Sequence, residues 1–324
     1  MASPSSAQLC LGAKLIGTGS AVPDRILTNA ELSERVDTSD EWIVSRTGIK
    51  ARRIVQEETL VDLATMAATR AITAAGISAV DLELIILATS SPDDLFGSAA
   101  RVQKLLGARQ AVAFDLSAAC SGFVFGLVTA TQFLRAGSYK HILLIGADVL
   151  SRWLDWSDRR TCILFGDGAG AVVLTAATPD RVLGYKLHTD GGGNDLLNLD
   201  LEPGKPSFKP LSMNGKEVYR FAVTAVPEVI EQALAEANLT IEAIDWLILH
   251  QANQRILDAV AERLNIPGHK VISNLASFGN TSAASIPLAL DQAIASHQIQ
   301  PGDRIMIAGF GAGLSWGAVI FHWQ

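Results

Sequence analysis

The feature that most limits what this chain can fold into is that one arrangement of elements is written in it twice. Residues 81–88 lead into an apolar run, Leu84-Ile85-Ile86-Leu87-Ala88, that reads as a strand, and Cys120 follows 32 residues after Ala88. A helical segment, a strand at 142–145 and a glycine-marked strand at 168–174 come next. Residues 243–250 repeat the first pattern, and Asn280 follows 30 residues after His250. A helix, a strand at 305–308 and a strand at 315–321 complete the copy. Matches in the same order predict two similar halves joined near residues 176–185. Strands alternating with helical patterns predict α/β architecture. Related halves packed about a pseudo-twofold axis bring equivalent turns to one crevice, at the carboxyl ends of strands. His250 ends its strand, and Cys120 and Asn280 each read as opening the helix after one, so the three are expected to converge there.

Cys120 stands in Phe114-Asp115-Leu116-Ser117-Ala118-Ala119-Cys120-Ser121-Gly122-Phe123, and residues 121–134 carry no charge. The stretch reads as strand, tight turn and buried helix, with the cysteine in the first helical turn. Small neighbours leave room beside the sulfur, and a helix N-terminus favours negative charge, which predicts a thiol that ionises more easily than usual. Cys120 is therefore a candidate nucleophile; taken alone, it reads equally as a small buried apolar residue. His250 and Asn280 taken singly read as a satisfied core histidine and a turn or helix-cap residue. Together the three suit acyl transfer, with a thiol to carry the acyl group and two side chains to donate hydrogen bonds to a developing oxyanion. A neutral histidine donating through Nε2, beside an asparagine N–H, holds an enolate; no base is needed where the carbanion forms by loss of carbon dioxide.

Composition narrows the partners. The chain has 324 residues, 49% hydrophobic and 18% charged, enough to bury a large core. A net charge of -7 argues against a general nucleic-acid binder, yet a local basic patch still suits an acidic protein partner. Cys10, Cys120 and Cys162 are far apart and odd in number. They form neither a disulfide framework nor a metal-ligand cluster, which fits a reducing compartment. The chain opens without a basic segment followed by an apolar core, so no secretory signal is expected. The uncharged run at 116–134 is crowded with Ser, Thr, Gly and Ala and reads as a buried helix rather than a membrane span. Residues 190–212 are rich in Gly and Pro and read as a surface excursion near the crevice mouth. Residues 38–53, with Trp42, Arg46, Arg52 and Arg53, read as a short helix with a basic edge, and Gly302-Asp303 as a turn.

Six strings carry a family resemblance: Asp37-Thr38-Ser39-Asp40-Glu41-Trp42-Ile43, Arg46-Thr47-Gly48-Ile49, Ala118-Ala119-Cys120-Ser121-Gly122-Phe123, Phe165-Gly166-Asp167-Gly168-Ala169-Gly170-Ala171, His250-Gln251-Ala252-Asn253 and Gly279-Asn280-Thr281-Ser282-Ala283-Ala284-Ser285. In this order and spacing, across about residues 17–316, the chain resembles β-ketoacyl-acyl-carrier-protein synthase III. This is the initiating condensing enzyme of type II fatty acid synthesis, within the thiolase superfamily. The resemblance implies a thiolase-like five-layer αβαβα fold made of two pseudo-twofold-related halves, 1–178 with the nucleophilic cysteine and 179–324 with the histidine and asparagine.

The resemblance also implies a division of roles. Cys120 takes acetyl from acetyl-CoA, and the backbone N–H groups of Cys120 and Ala312 meet the oxyanion. His250 and Asn280 then hold the thioester oxygen of malonyl-acyl carrier protein while decarboxylation makes the carbanion. Thr38, Trp42, Arg46, Arg159, Gly215 and Asn253 match contacts to coenzyme A, with Trp42 and Arg159 about the adenine by stacking and cation–π attraction. Arg220, Arg255 and Arg263 match a patch that docks acyl carrier protein. Phe96 matches an aromatic that crosses a homodimer interface to close the partner's acyl pocket. The implied protein is cytoplasmic, binds neither nucleic acid nor membrane, and uses no metal or resident cofactor, acetyl-CoA being a substrate. Two departures stand out: Ala312 lies where many relatives carry a glycine, and Lys216 where asparagine is common. Two other readings stay open, a sister condensing enzyme with a different acyl-CoA primer and a Cys-His-Asn thioester hydrolase in which His250 acts as base.

Overall fold

The computed structural model describes residues 11–324; Cys10 and the opening segment read for a secretory signal lie outside the described residues. β1 (Gly12–Ala21), β2 (Leu84–Ala88), β3 (Val112–Leu116), β4 (His141–Asp148) and β5 (Gly168–Ala177) form one sheet in the order β1-β5-β4-β2-β3. A second sheet holds β6 (Val182–Thr189), β7 (Trp246–Leu249), β8 (Val271–Ile272), β9 (Arg304–Gly311) and β10 (Ser315–His322), ordered β6-β10-β9-β7-β8. Across each sheet the pairings run antiparallel, antiparallel, parallel, parallel. The repeat in the sequence is thus a repeat of topology.

Six helices matter to the layers and the site: α1 (Asp40–Thr47), α2 (Leu60–Ala75), α3 (Gly122–Arg135), α4 (Gly215–Ala237), α5 (Gln254–Arg263) and α6 (Ser285–Ala295). The period-2 alternation of the strands assigns each sheet face to a layer. Leu84, Ile86, Ile142 and Leu144 face inward and share a core with Phe123 and Leu127 of α3, Ile286 and Leu290 of α6, and Ile305 and Ile307 of β9. Ile85, Leu87, Leu143 and Ile145 face outward onto Leu63, Ala67 and Ala71 of α2. On the far side Leu247, Leu249, Met306 and Ala308 meet Val226 and Ile230 of α4 and Leu257 and Val260 of α5. The stack is helix, sheet, helix pair, sheet, helix. The absence of charge in residues 121–134 follows from the place of α3 between both sheets, where an unpaired charge is costly.

Local signals set the boundaries near the site. Ser39 caps α1 by accepting from Trp42 N at 3.1 Å, and Gly48, at φ +80°, ends it. The chain then pairs Ala51–Arg53 with Ile26–Thr28. Here the expected basic edge needs correction, because Arg52 points inward from this strand and is fully buried. Its guanidinium donates to Leu27 O, Asn29 Oδ1 and Ile163 O, and burial lowers its pKa to about 10. Residues 190–212 run through a short ladder of Leu197–Asn198 with Ser212–Met213. Among the described residues no helix is long and apolar enough to cross a membrane.

Candidate active site

Cys120 sits in a tight turn, Ala119–Ser121, that runs directly into α3. Ala119 adopts φ +47°, a conformation costly for a side chain bearing a Cβ, and Ser282 adopts φ +51° at the matching step before α6. The match pairs Cys120 with Ala283, not with Asn280. The expectation that Asn280 opens its helix is corrected accordingly: it lies five positions before Ser285, where α6 begins. Asn280 is held by backbone instead, its N–H donating to Leu164 O (2.8 Å) and its carbonyl accepting from Gly166 N (2.9 Å). Buried Arg52 grips Ile163 O beside that segment, so the guanidinium braces the support of Asn280.

The halves meet at this point. Ser121 Oγ donates to Ser315 O across them, and a Cβ on Gly311 would lie 2.9 Å from both Cys120 Cβ and Cys120 N. Only a glycine lets the end of β9 approach so closely. Cys120, His250 and Asn280, exposed by 6%, 2% and 6%, line one cavity of about 720 Å³. The expected convergence is therefore observed, although it rests on different local geometry at Asn280.

Hydrogen bonds fix what each side chain presents. Ser282 N donates to Asn280 Oδ1 (2.9 Å), which leaves the Asn280 amide N–H groups as donors. Ser285 Oγ accepts from Gln251 N (3.3 Å) and lies 2.7 Å from His250 Nδ1. A hydroxyl keeps a second lone pair after accepting one hydrogen bond, so Ser285 Oγ serves Nδ1 in either tautomer; the tautomer with its proton on Nε2, which the sequence reading requires, is the one in which the hydroxyl donates. Burial pushes the His250 pKa down to about 3, so the ring is neutral at ordinary pH, and Phe310 packs edge-on against it at 5.1 Å.

The thiol departs from expectation. Burial pushes Cys120 up to about 12, an effect that outweighs hydrogen bonding from Ser282 Oγ, 3.3 Å from Sγ. Nearby Asp148 raises it further, because two negative charges in one buried site repel. Position at the start of a helix does not by itself give an ionised sulfur here.

Trp42, Arg46, Arg159, Gly215, Arg220, Asn253 and Arg255 line the same cavity, toward its exposed end. The Arg159 and Arg46 guanidinium carbons lie 5.3 and 5.7 Å from the Trp42 ring centroid, and Arg159 also pairs with Asp37. Asn253 caps α5 and donates to Arg46 O at 3.1 Å, while Gly215 opens α4. Thr38 lies outside the residues lining this cavity and has a buried, unpartnered hydroxyl. Ala312 follows Gly311 in the loop packed on Cys120. Arg263 lies apart at the end of α5, bonded to Val223 O and Glu228. Phe96 is fully exposed beside a second cavity, of about 480 Å³, that also reaches Thr89 and Ser117. Sequence reasoning missed Asp148, Ser282, Ser285 and Phe310 as neighbours of the three central side chains. The two serines lay inside a quoted motif, whereas Asp148 is a strand-end residue with no local signal.

Comparison with known proteins agrees with this geometry. The family model for 3-oxoacyl-[acyl-carrier-protein] synthase III matches residues 114–191, and the model for its C-terminal part matches residues 234–323. A β-ketoacyl-[acyl-carrier-protein] synthase III of Nostoc sp. is 61% identical over 97% of this chain and 98% of its own length. One of Thermosynechococcus vestitus is 60% identical over 97% and 99%. The solved 3-oxoacyl-[acyl-carrier-protein] synthase III from Aquifex aeolicus superposes with a TM-score of 0.92 at 46% identity, covering 96% of this chain and all of that one. The corresponding structure from Pseudomonas aeruginosa gives 0.92 at 40%, covering 97% and 98%. With a thiolase-like duplicated fold and its cysteine, histidine and asparagine in one cavity, the chain belongs to the β-ketoacyl-acyl-carrier-protein synthase III family.

Proposed function

We propose that this protein condenses acetyl-CoA with malonyl-acyl carrier protein, releasing coenzyme A and carbon dioxide and giving acetoacetyl-acyl carrier protein, the first step of fatty acid synthesis. The observation that carries the reading is the meeting of Cys120, His250 and Asn280, from both halves, in one buried cavity of a chain with this family membership. The halves 1–178 and 179–324 are taken as its units, supported by their matching strand orders.

Cys120 Sγ attacks the acetyl carbonyl and becomes a thioester. The N–H groups of Cys120 and Ala312 meet the oxyanion, a role supported by the close packing of Gly311 on Cys120. Malonyl-acyl carrier protein then enters by the same mouth. His250 Nε2–H and the Asn280 amide donate to its thioester oxygen, so that loss of carbon dioxide leaves an enolate whose charge lands on two preset donors. The enolate carbon attacks the acetyl-cysteine and frees the thiol. None of these steps calls for a metal or resident cofactor.

The mouth supports the partners. Trp42 offers an indole face, and Arg46 and Arg159 offer charge for the adenine and phosphates of coenzyme A, with Gly215 and Asn253 along the tunnel; the adenine and phosphate contact of Thr38 rests on the family resemblance alone, since Thr38 does not line this cavity. Exposed Arg220 and Arg255, with Arg263 further along α5, suit an acidic carrier protein. Leu95 (86% exposed), Phe96 (101%) and Val112 (51%) surround the free edge of the first sheet, which supports a homodimer in which Phe96 reaches the partner. A cytoplasmic location fits a nucleophilic thiol that must stay reduced. A hydrolase would pair imidazole with thiol; here Sγ bonds Ser282 and His250 Nδ1 bonds Ser285. The test is mass spectrometry after mixing with acetyl-CoA. Cys120 should gain about 42 mass units, the difference between an acetyl group and hydrogen. Malonyl-acyl carrier protein should then remove that mass as a ketoacyl product. A protein that stays unacylated, or that yields only free acid, overturns the reading, and a panel of acyl-CoA primers fixes chain length.

A further inference from the structure

The condensation steps above give Ser282 no task, although its side chain lies against the reacting sulfur. It is 1% exposed, and its hydroxyl donates to Cys120 Sγ across 3.3 Å. A hydroxyl has a single hydrogen to give, so this bond commits it. Two backbone bonds fix the turn that carries it: Ser282 N donates to Asn280 Oδ1 at 2.9 Å, and Ala283 N donates to Asp148 Oδ2 at 3.1 Å. Asp148 is itself fully buried at the end of β4, its Oδ1 accepting from Thr89 Oγ1, Ser90 N and Ser91 Oγ. The turn is anchored on both sides of Ser282 and keeps the hydroxyl on the sulfur.

The duplicated fold holds an internal comparison. Ala119 precedes Cys120 as Ser282 precedes Ala283, and the two adopt φ +47° and +51° at matching steps. Alanine builds the same left-handed turn in the first half, so the backbone conformation does not call for a hydroxyl. What the hydroxyl adds is a buried donor aimed at Sγ. A neutral thiol accepts weakly and a thiolate strongly, so the bond strengthens as charge builds on the sulfur. A group that holds the charged state better than the neutral one lowers the barrier to reaching it. Burial pushes the thiol pKa up, and the Ser282 hydroxyl is the strongest influence pulling it back.

We propose that Ser282 is a further catalytic residue, whose hydroxyl donates to the Cys120 sulfur each time that sulfur carries negative charge. This rests on the acetyl-transfer reading above. As a thiolate, Sγ forms its bond to the acetyl carbon, the bond from that carbon to the coenzyme A sulfur breaks, and the departing thiolate takes a proton from water. In the thioester the sulfur accepts poorly and the hydrogen bond slackens. In the condensation the enolate carbon bonds the acetyl carbon and the bond to Sγ breaks, so the sulfur leaves with the electron pair and meets the same donor again. The Ser282 proton stays on Oγ throughout. One side chain thus serves the sulfur as nucleophile and as leaving group, while its backbone N–H holds Asn280 for decarboxylation.

The test compares wild type with Ser282→Ala, which keeps a Cβ in the conformation Ala119 already adopts, and Ser282→Gly, which adopts it freely. Both keep the backbone N–H to Asn280. The assays are iodoacetamide alkylation of Cys120 from below to above the ordinary thiol pKa of about 8.5, acetyl transfer from acetyl-CoA, and decarboxylation of malonyl-acyl carrier protein. Among the described residues the titratable groups facing Cys120 are His250 and Asp148; exposed Arg46, Arg159, Arg160, Lys216, Arg220 and Arg255 and half-buried Tyr219 share the cavity. Loss of the donor should cut the thiolate population by about 10- to 100-fold. The more basic sulfur recovers about 3- to 10-fold of that in nucleophilicity, so alkylation and acetyl transfer should slow by about 3- to 10-fold in both variants. The pH profile of alkylation should move upward, and decarboxylation should fall far less. A wild-type rate and profile in Ser282→Ala overturns the proposal. So does an equal fall in decarboxylation, which would mean that the serine only shapes the turn holding Asn280, and so does a slowdown confined to Ser282→Gly. Should Ser282→Ala fail to fold, Ser282→Gly decides by the same comparison of alkylation with decarboxylation. Alkylation that slows without the hydroxyl in a protein that acetyl-CoA never acylates would keep the donor and overturn the proposed substrate instead.

Discussion

Gly311→Ala is the sharpest probe of how the halves build the site. An added Cβ would stand 2.9 Å from Cys120 Cβ and 2.9 Å from Cys120 N, the second being backbone that cannot swing aside. Carbon contacts relax to about 3.5 Å or more, so the loop carrying Ala312 must back away by about 0.5 Å. Oxyanion donors work between about 2.7 and 3.1 Å, so that shift carries Ala312 N out of range and should slow acetyl transfer by about 10²- to 10³-fold. Overpacking of this kind costs about 1–3 kcal/mol of stability, which leaves a folded protein with a lower melting point. Decarboxylation relies on His250 and Asn280 and should fall far less. Stopped acetylation followed by mass spectrometry, beside thermal unfolding, reads both effects. A folded Gly311→Ala protein that acetylates at the wild-type rate would refute the assignment of this loop to the oxyanion.

The half-reactions should separate in other variants. Cys120→Ala should lose acylation yet still decarboxylate malonyl-acyl carrier protein, whereas His250→Ala should acylate and not decarboxylate; folded variants that each lost both would contradict the division of roles. Trp42→Ala should raise the KM for acetyl-CoA by about 5- to 150-fold, the worth of about 1–3 kcal/mol of base stacking, with kcat nearly unchanged; an unchanged KM would remove Trp42 from the adenine site. His250 has a folded pKa of about 3 against an ordinary 6.5, so between these values the unfolded chain binds a proton that the native chain does not. Unfolding free energy should therefore rise with pH across that window, by up to about 1.4 kcal/mol per unit from this residue, and fall as the solution is acidified below 6.5. Urea titrations should show a shallower dependence in His250→Gln, and an identical slope would place the imidazole elsewhere.

The sequence alone determined the duplicated plan, because strand alternation and the spacing of Cys120, His250 and Asn280 are one-dimensional patterns that survive without coordinates. The uncharged run at 121–134 read as a buried helix from the residues alone, whereas the five-layer order came from the family resemblance, and the packing of α3 between two sheets explains the missing charge. Three matters were beyond its reach. Arg52 read as a surface charge because local composition does not reveal which way a three-residue strand turns its middle side chain. Asn280 read as a helix opener because its true supports, Leu164 and Gly166, lie more than a hundred positions away. The thiol was expected to ionise readily because the helix start is visible in sequence, whereas the burial that outweighs it, and the charge of nearby Asp148, arise only when distant segments close on one another. Residue types and spacings named the chemistry, and tertiary packing set the burial of each group and its hydrogen-bonding neighbours, because electrostatics in a buried site depends on neighbours that the chain brings in from both halves.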